Sequence, residues 1–209
     1  MSSLEEPTTP RVHVFFDGQN LFHAAKECFG YKYPNYDPIK LAQAITNIIP
    51  ERKLTQIHFY TGIHDIRHEP FWHAFWSNKL TLVPTKGVRV VTRKLKYSDV
   101  PVQLDNGATK RVKVGREKGI DLRLGLDLVR LARKDEYDVA IIFSQDTDLE
   151  EAVDEVYDIK KEFKRWIWLE CAFPISSMAN NPRGISKTQW RKIDKSLYDQ
   201  CTDPRDYRP

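Results

Sequence analysis

The chain has 209 residues, 41% hydrophobic and 30% charged, with a formal net charge of +4, which suits one domain able to bury a real core. It contains no run of eighteen apolar residues, which excludes a membrane-spanning helix. Three cysteines, Cys28, Cys171 and Cys201, are odd in number and far apart, so neither a disulfide framework nor a C-x-x-C zinc cluster is expected.

Met1 to Pro10 is polar and acidic, with no apolar signal core; a disordered tail over 1–10 and a cytoplasmic location are the expectations. Arg11-Val12-His13-Val14-Phe15-Phe16 then has strand length and stops at Asp17-Gly18. Helical spacing follows from Asn20, with Leu21, Ala24, Ala25 and Cys28 on one side, and closes at Gly30. Asp37 is a candidate N-cap and Pro38 fits a first helical position, with Leu41, Ala44, Ile45 and Ile48 continuing the pattern. Leu54 to Gly62 reads as a second strand. Pro70 opens a helix carrying Phe71, Trp72, Phe75 and Trp76, a stripe expected to serve as core or as the face of a homodimer rather than to stack bases. His64, His68 and His73 lie nearby without the spacing of a zinc site.

A third strand follows Gly87. "VPVQL" and "ATKRVKV" then flank Asp105-Asn106-Gly107, a hairpin signal, and an arm over 97–115 is expected to project from the sheet edge. Between Arg93 and Lys118 lie eight basic residues (Arg93, Lys94, Lys96, Lys110, Arg111, Lys113, Arg116 and Lys118) against Asp99, Asp105 and Glu117. That segment carries +5 and leaves −1 for the rest, the distribution of a patch that meets a polyanion.

Ile120 to Arg133 reads as a mostly buried helix, and Val139 to Phe143 as a core strand. Thr147 and Glu150 suggest a capping box that starts a helix at Asp148. "WIWLECA" reads as the last core strand, with Trp166 and Trp168 on one buried face, and a short helix is expected over 190–198. Strands alternating with helices predict an α/β fold with a mainly parallel central sheet. The core domain is expected over 11–173, with 174–209 as an extension packed on it.

Open α/β sheets build sites beyond the carboxyl ends of their strands. There "VFFDGQN" delivers Asp17 and "IIFSQDTD" delivers Asp146 and Asp148, while Asp121 starts the leucine-rich helix and Asp127 follows two turns on. One aspartate after a strand is ordinarily a turn former or a cap. Several together are another matter, because two carboxylates about 4 Å apart repel by roughly 4 kcal/mol at an effective dielectric near 20. A divalent cation relieves that conflict, and oxygen ligands without His or Cys favour Mg²⁺ or Mn²⁺. Such a metal beside a basic arm points to phosphodiester chemistry.

Three segments carry a family resemblance. "FFDGQNLF", "KGIDLRLGLDLVRLA" and "IIFSQDTDLEEAV" resemble, in order and spacing, the D-G-x-N-L, K-G-x-D and S-x-D-x-D segments of the NYN domains, relatives of the PIN-like nucleases. The match spans roughly Val12 to Cys171. The resemblance implies a Rossmann-like three-layer α/β/α domain that cleaves RNA, single-stranded or structured, with Mg²⁺ or Mn²⁺. It implies Asp17, Asp121 and Asp146 as metal ligands and Asp148 as completing the cluster. Asn20 would position Asp17 or the substrate phosphate, Lys118 would contact the scissile strand, and Asp127 is a lesser candidate. The family carries glycine where this chain has Gln145; a requirement there for φ > 0 or for close substrate approach would strain the loop or narrow the site and would favour a non-catalytic module.

Other classes fit less well. A haloacid-dehalogenase-type phosphatase needs an acid two residues after Asp17, where this chain has Gln19. A Toprim-like nuclease needs Glu at the end of the first strand, and a dinucleotide-binding enzyme needs more glycines than Gly18. A non-catalytic RNA-binding module on the same fold is the alternative from a different class.

Overall fold

The computed structural model describes residues 4–82, 87–103 and 107–209. The strands, in chain order, are β1 (Arg11–Asp17), β2 (Lys53–Ile63), β3 (Val88–Lys94), β4 (Lys96–Gln103), β5 (Thr109–Arg116), β6 (Val139–Phe143), β7 (Trp168–Pro174) and β8 (Gln189–Ile193). Six of them form one parallel sheet in the spatial order β3-β2-β1-β6-β7-β8. The order reverses between β1 and β6, the switch point at which open sheets of this kind leave a crevice.

The helices are α1 (Gly18–Phe29), α2 (Pro38–Thr46), α3 (Pro70–Leu82), α4 (Ile120–Arg133), α5 (Glu150–Glu162) and α6 (Lys195–Gln200). Alternate residues of the central strands serve opposite faces of the sheet. Val12, Val14 and Phe16 of β1 and Ile141 and Phe143 of β6 pack with Leu21, Ala25, Leu41, Ile45, Phe75 and Trp76 of the first three helices. Phe15, Ala140 and Ile142 pack on the other face with Leu124, Leu128, Leu131, Val153 and Val156 of α4 and α5. Burial on both faces explains why β6 reads as an unbroken apolar run. The result is the three-layer α/β/α fold that the sequence predicts. His13 and His58 lie inside it, ring nitrogens 3.3 Å apart, and burial lowers their pKa values to about 4 and about 3.

The predicted arm is present as an antiparallel ribbon of β4 and β5, separate from the main sheet, with Lys96 opposite Arg116 and Gln103 opposite Thr109. The expected turn at Asp105-Asn106 lies outside the described residues. Leu95 is buried at the base of the arm, and the Tyr97 hydroxyl accepts from the Asp65 amide there.

Several expectations need correction. The aromatic stripe is core only in part, with Phe75 and Trp76 buried and Phe71 and Trp72 half-buried. Helix α4 is amphipathic rather than mostly buried, since Leu122 and Leu126 are 65% and 57% exposed. The cap before α5 is Asp146, whose carboxylate accepts from the Asp148 amide, and a 3-10 turn over Thr147–Leu149 precedes the helix. Trp168 opens β7 half in solvent, its ring stacked on Trp166. The sheet does not end at β7. Residues 189–193 pair with β7 as an edge strand, and only 195–200 are helical. Glu170 of β7 ties this edge down, accepting from both Arg52 and Arg191. No described helix is long and apolar enough to cross a membrane.

Candidate metal centre

The carboxyl ends of β1 and β6 lie side by side, and each delivers an acid. Asp17, the last residue of β1, is 6% exposed and caps α1 by accepting from the Asn20 amide at 3.0 Å. Gly18 allows the turn into α1, because a Cβ there would sit 2.8 Å from the Phe59 ring and 3.0 Å from the Tyr60 carbonyl. Ser144, just after β6, donates from Oγ to Asp17 Oδ2 at 3.2 Å and accepts from the Asp146 amide at 3.1 Å. One hydroxyl therefore fixes the relative placement of both strand ends.

The third acid comes from the helix that follows the arm. Gly119 precedes α4 with φ of 77°, a left-handed conformation that side chains disfavour, and Asp121 lies in the first turn. Carboxylate oxygens of Asp121, Asp146 and Asp148 lie within 4.8 Å of one another. Among the described residues this is the group of His, Cys, Asp or Glu side chains close enough to share a cation. His64, His68 and His73 do not converge: His73 Nδ1 meets the His64 carbonyl, and His68 packs against Tyr97.

Asp17, Asp121 and Asp146 line a cleft of about 280 Å³ with Gln19, Asn20, His23, Glu117 and Ile120. Burial pushes the Asp17 pKa up to about 6, with further upward contributions from Asp146 and Asp121, against the hydrogen bonds from Asn20 and Ser144. Glu117 is affected more strongly. Burial first, then the charges of Asp17 and Asp121, raise its pKa to about 8, and its buried Oε1 has no hydrogen-bond partner among the described residues. Glu117 and Ser144 were not among the residues expected from sequence. Glu117 entered there only as a counter-charge within the arm, although its position four residues before Asp121 places it on the approach to the same helix.

The remaining expected residues divide. Asn20 holds the site from two directions, since its side-chain Oδ1 also accepts from the Gln145 amide at 2.9 Å. Gln145 is not strained: the described non-glycine residues with positive φ are Asp135, Lys164 and Lys187. Its side-chain amide donates instead to the Asn181 and Arg183 carbonyls, fastening that segment beside the cleft. Asp127 does not reach the cluster. It is 1% exposed and accepts from Tyr60, Arg123 and Arg130, so its oxygens are engaged in the core. Lys118 is exposed immediately after Glu117, and the Arg93 guanidinium lies over Gly119. Lys94 and the arm residues Lys110, Arg111, Lys113 and Arg116 are exposed and stand outside the cleft lining.

The NYN domain family model matches residues 11–164. Among curated proteins, none matches the chain significantly. A crystal structure of a protein of unknown function from Vibrio parahaemolyticus is similar over 92% of this chain and 98% of its own, with a TM-score of 0.54 and 16% identity, a likeness of fold. A family match over most of the chain, on a fold that brings strand-end acids together, shows that the chain belongs to the NYN-domain family of PIN-like nucleases.

Proposed function

We propose that this chain is a divalent-cation-dependent endoribonuclease of single-stranded RNA. The observation that carries the reading is the convergence of Asp121, Asp146 and Asp148 beside buried Asp17 at the switch point of the sheet. Their mutual repulsion opposes such an arrangement unless a cation compensates it. The donor set is all oxygen, which fits Mg²⁺ or Mn²⁺, and Glu117 Oε1 in the same cleft is a further oxygen without a partner among the described residues. Asp121, Asp146 and Asp148 would hold the ion, with Asp17 completing the site from β1. When bound, such an ion supplies charge stabilisation at the attacked phosphate and lowers the pKa of the attacking water.

The chain's own residues do the rest. Ser144 and Asn20 lock Asp17 and the 144–146 loop into one arrangement, so the acids would need no rearrangement to receive a cation. Exposed Lys118, next in sequence to Glu117, is the cation we assign to a backbone phosphate, and the basic arm would raise the local concentration of RNA. The non-catalytic alternative would rest on Gln145 standing where the family carries glycine; φ there is not positive, so loop strain does not support that alternative.

The test is cleavage of an end-labelled single-stranded RNA in Mn²⁺, in Mg²⁺ and in chelator. Internal cuts with either metal and none in chelator are expected. RNA that binds yet stays intact under all three conditions would return the protein to the class of binding modules.

A further inference from the structure

Next to the acidic cleft lies a second one, of about 290 Å³, lined by Gln19, Phe22, His23, Lys26, His64, Trp72, Trp76, Leu95 and Gly115. The two clefts share Gln19 and His23, so one continues into the other. Its walls are aromatic: Trp72 is half-buried, its ring 6.1 Å from His64 and near parallel to it, and 6.0 Å from Phe22. Trp76 and Leu95 form a closed apolar floor. Lys26 and His23 stand exposed at the mouth, and the far end abuts Gly115 at the base of the basic arm.

We infer that this second cleft is a nucleobase subsite that receives one base of the RNA strand whose phosphate lies at the acid cluster. The continuity fixes the occupant. A strand running from the acids to the base of the arm at Gly115 would pass this opening, whose lining holds Lys26 and no acid. An aromatic wall accepts any base by its π-face, so the subsite sets the path and register of the strand without a hydrogen-bond code. Its volume is near the lower end for small-ligand clefts, roughly 300–1,000 Å³, which suits a single ring system. Trp72 is half-buried, with His64 near parallel to its ring and Phe75 edge-on at 5.7 Å, and the part of the indole that lines the cleft is the surface offered for that contact.

The inference rests on the nuclease reading only in taking the ligand to be the strand that crosses the acidic cleft. Its test reads binding rather than cutting. The anisotropy of a labelled twelve-nucleotide RNA would be titrated in chelator with the wild-type protein, Trp72→Ala, Trp72→Phe and Lys26→Gln, using intact RNA and a series with one abasic position moved along the strand. Trp72→Ala should weaken binding roughly five- to a hundredfold, and Trp72→Phe should restore most of it. The abasic series should show a penalty at a confined position in the wild type that disappears in Trp72→Ala. An abasic penalty that persists undiminished in Trp72→Ala, a flat series, or no RNA binding at all would overturn the subsite. If Trp72→Ala fails to fold, the abasic series on the wild type decides alone. RNA that is cut with metal but gives a flat series defeats the subsite and leaves the nuclease. A confined penalty in RNA that is never cut defeats the nuclease and leaves the subsite.

Discussion

At the scale of single residues, Glu117 is the most informative addition. Its pKa, raised to about 8 by burial and by Asp17 and Asp121, means that the metal-free fold prefers its neutral form. That contribution to stability is complete below the ordinary value of 4.5 and is lost as pH rises through about 8. Glu117→Gln retains the neutral shape at every pH. The melting temperature of this variant in chelator should therefore gain on the wild type between pH 5 and pH 9, by about 2–4 °C for each kcal/mol involved. Mn²⁺ at pH 8 should then stabilise the wild type more than the variant; a pH-independent difference together with equal metal effects would count against Glu117 as part of the site. The contrast with Asp127 shows the limit of residue-level reading. Both acids follow the arm, yet only placement on α4 tells that Asp127 turns into the core towards Tyr60 while Asp121 joins the cluster. Gln145 makes a similar point, since the fear of strain came from the residue type, whereas the path of the loop sets φ.

At the scale of elements, what was legible follows burial. The central strands and α1, α2, α4 and α5 announced themselves because apolar periodicity or continuous apolar runs are forced by two packed faces. Strand β8 did not, because an edge strand of five residues, QWRKI, is paired on one side and largely exposed. Its aromatic residue Trp190, read with Tyr198, mimics a helical stripe. The start of α5 was misread for a related reason: Asp146 serves as both cap and cluster member, and sequence offered Thr147 as the more ordinary cap. Helix α4 begins without any side-chain cap, on the left-handed Gly119. Gly119→Ala should cost about 1–2 kcal/mol in chemical denaturation, from the φ alone. Its added Cβ would also meet the Arg93 guanidinium 3.2 Å away and disturb the presentation of Asp121. A variant as stable as the wild type would show that α4 tolerates another start.

At the scale of the molecule, charge is divided between two places. Acids gather at the switch point, and the basic residues extend along a ribbon of two strands that is exposed over most of its length. Sequence revealed both halves of this division, and the arm expected to project from the sheet edge is a separate two-stranded ribbon following β3. A two-stranded ribbon has little stability of its own, so its charges serve long-range attraction better than precise positioning. Neutralising Lys110, Arg111 and Lys113 should weaken RNA binding and flatten the slope of log affinity against log salt by about 2, at roughly 0.7 per phosphate contact on a single strand. An unchanged slope in that triple variant would remove the arm from the binding surface.

The central claim is that the acid cluster holds the ion through which RNA is cut, and Asp146→Asn examines it most directly. Asp146 belongs to the triad, and asparagine keeps an oxygen able to accept from the Asp148 amide, so the cap before α5 can survive the change. Mn²⁺ binding by calorimetry and RNA cleavage should be measured together on this variant and the wild type. The account predicts that the folded variant loses most of both its Mn²⁺ affinity and its cleavage. A folded variant that binds Mn²⁺ and cuts RNA as the wild type does would contradict it.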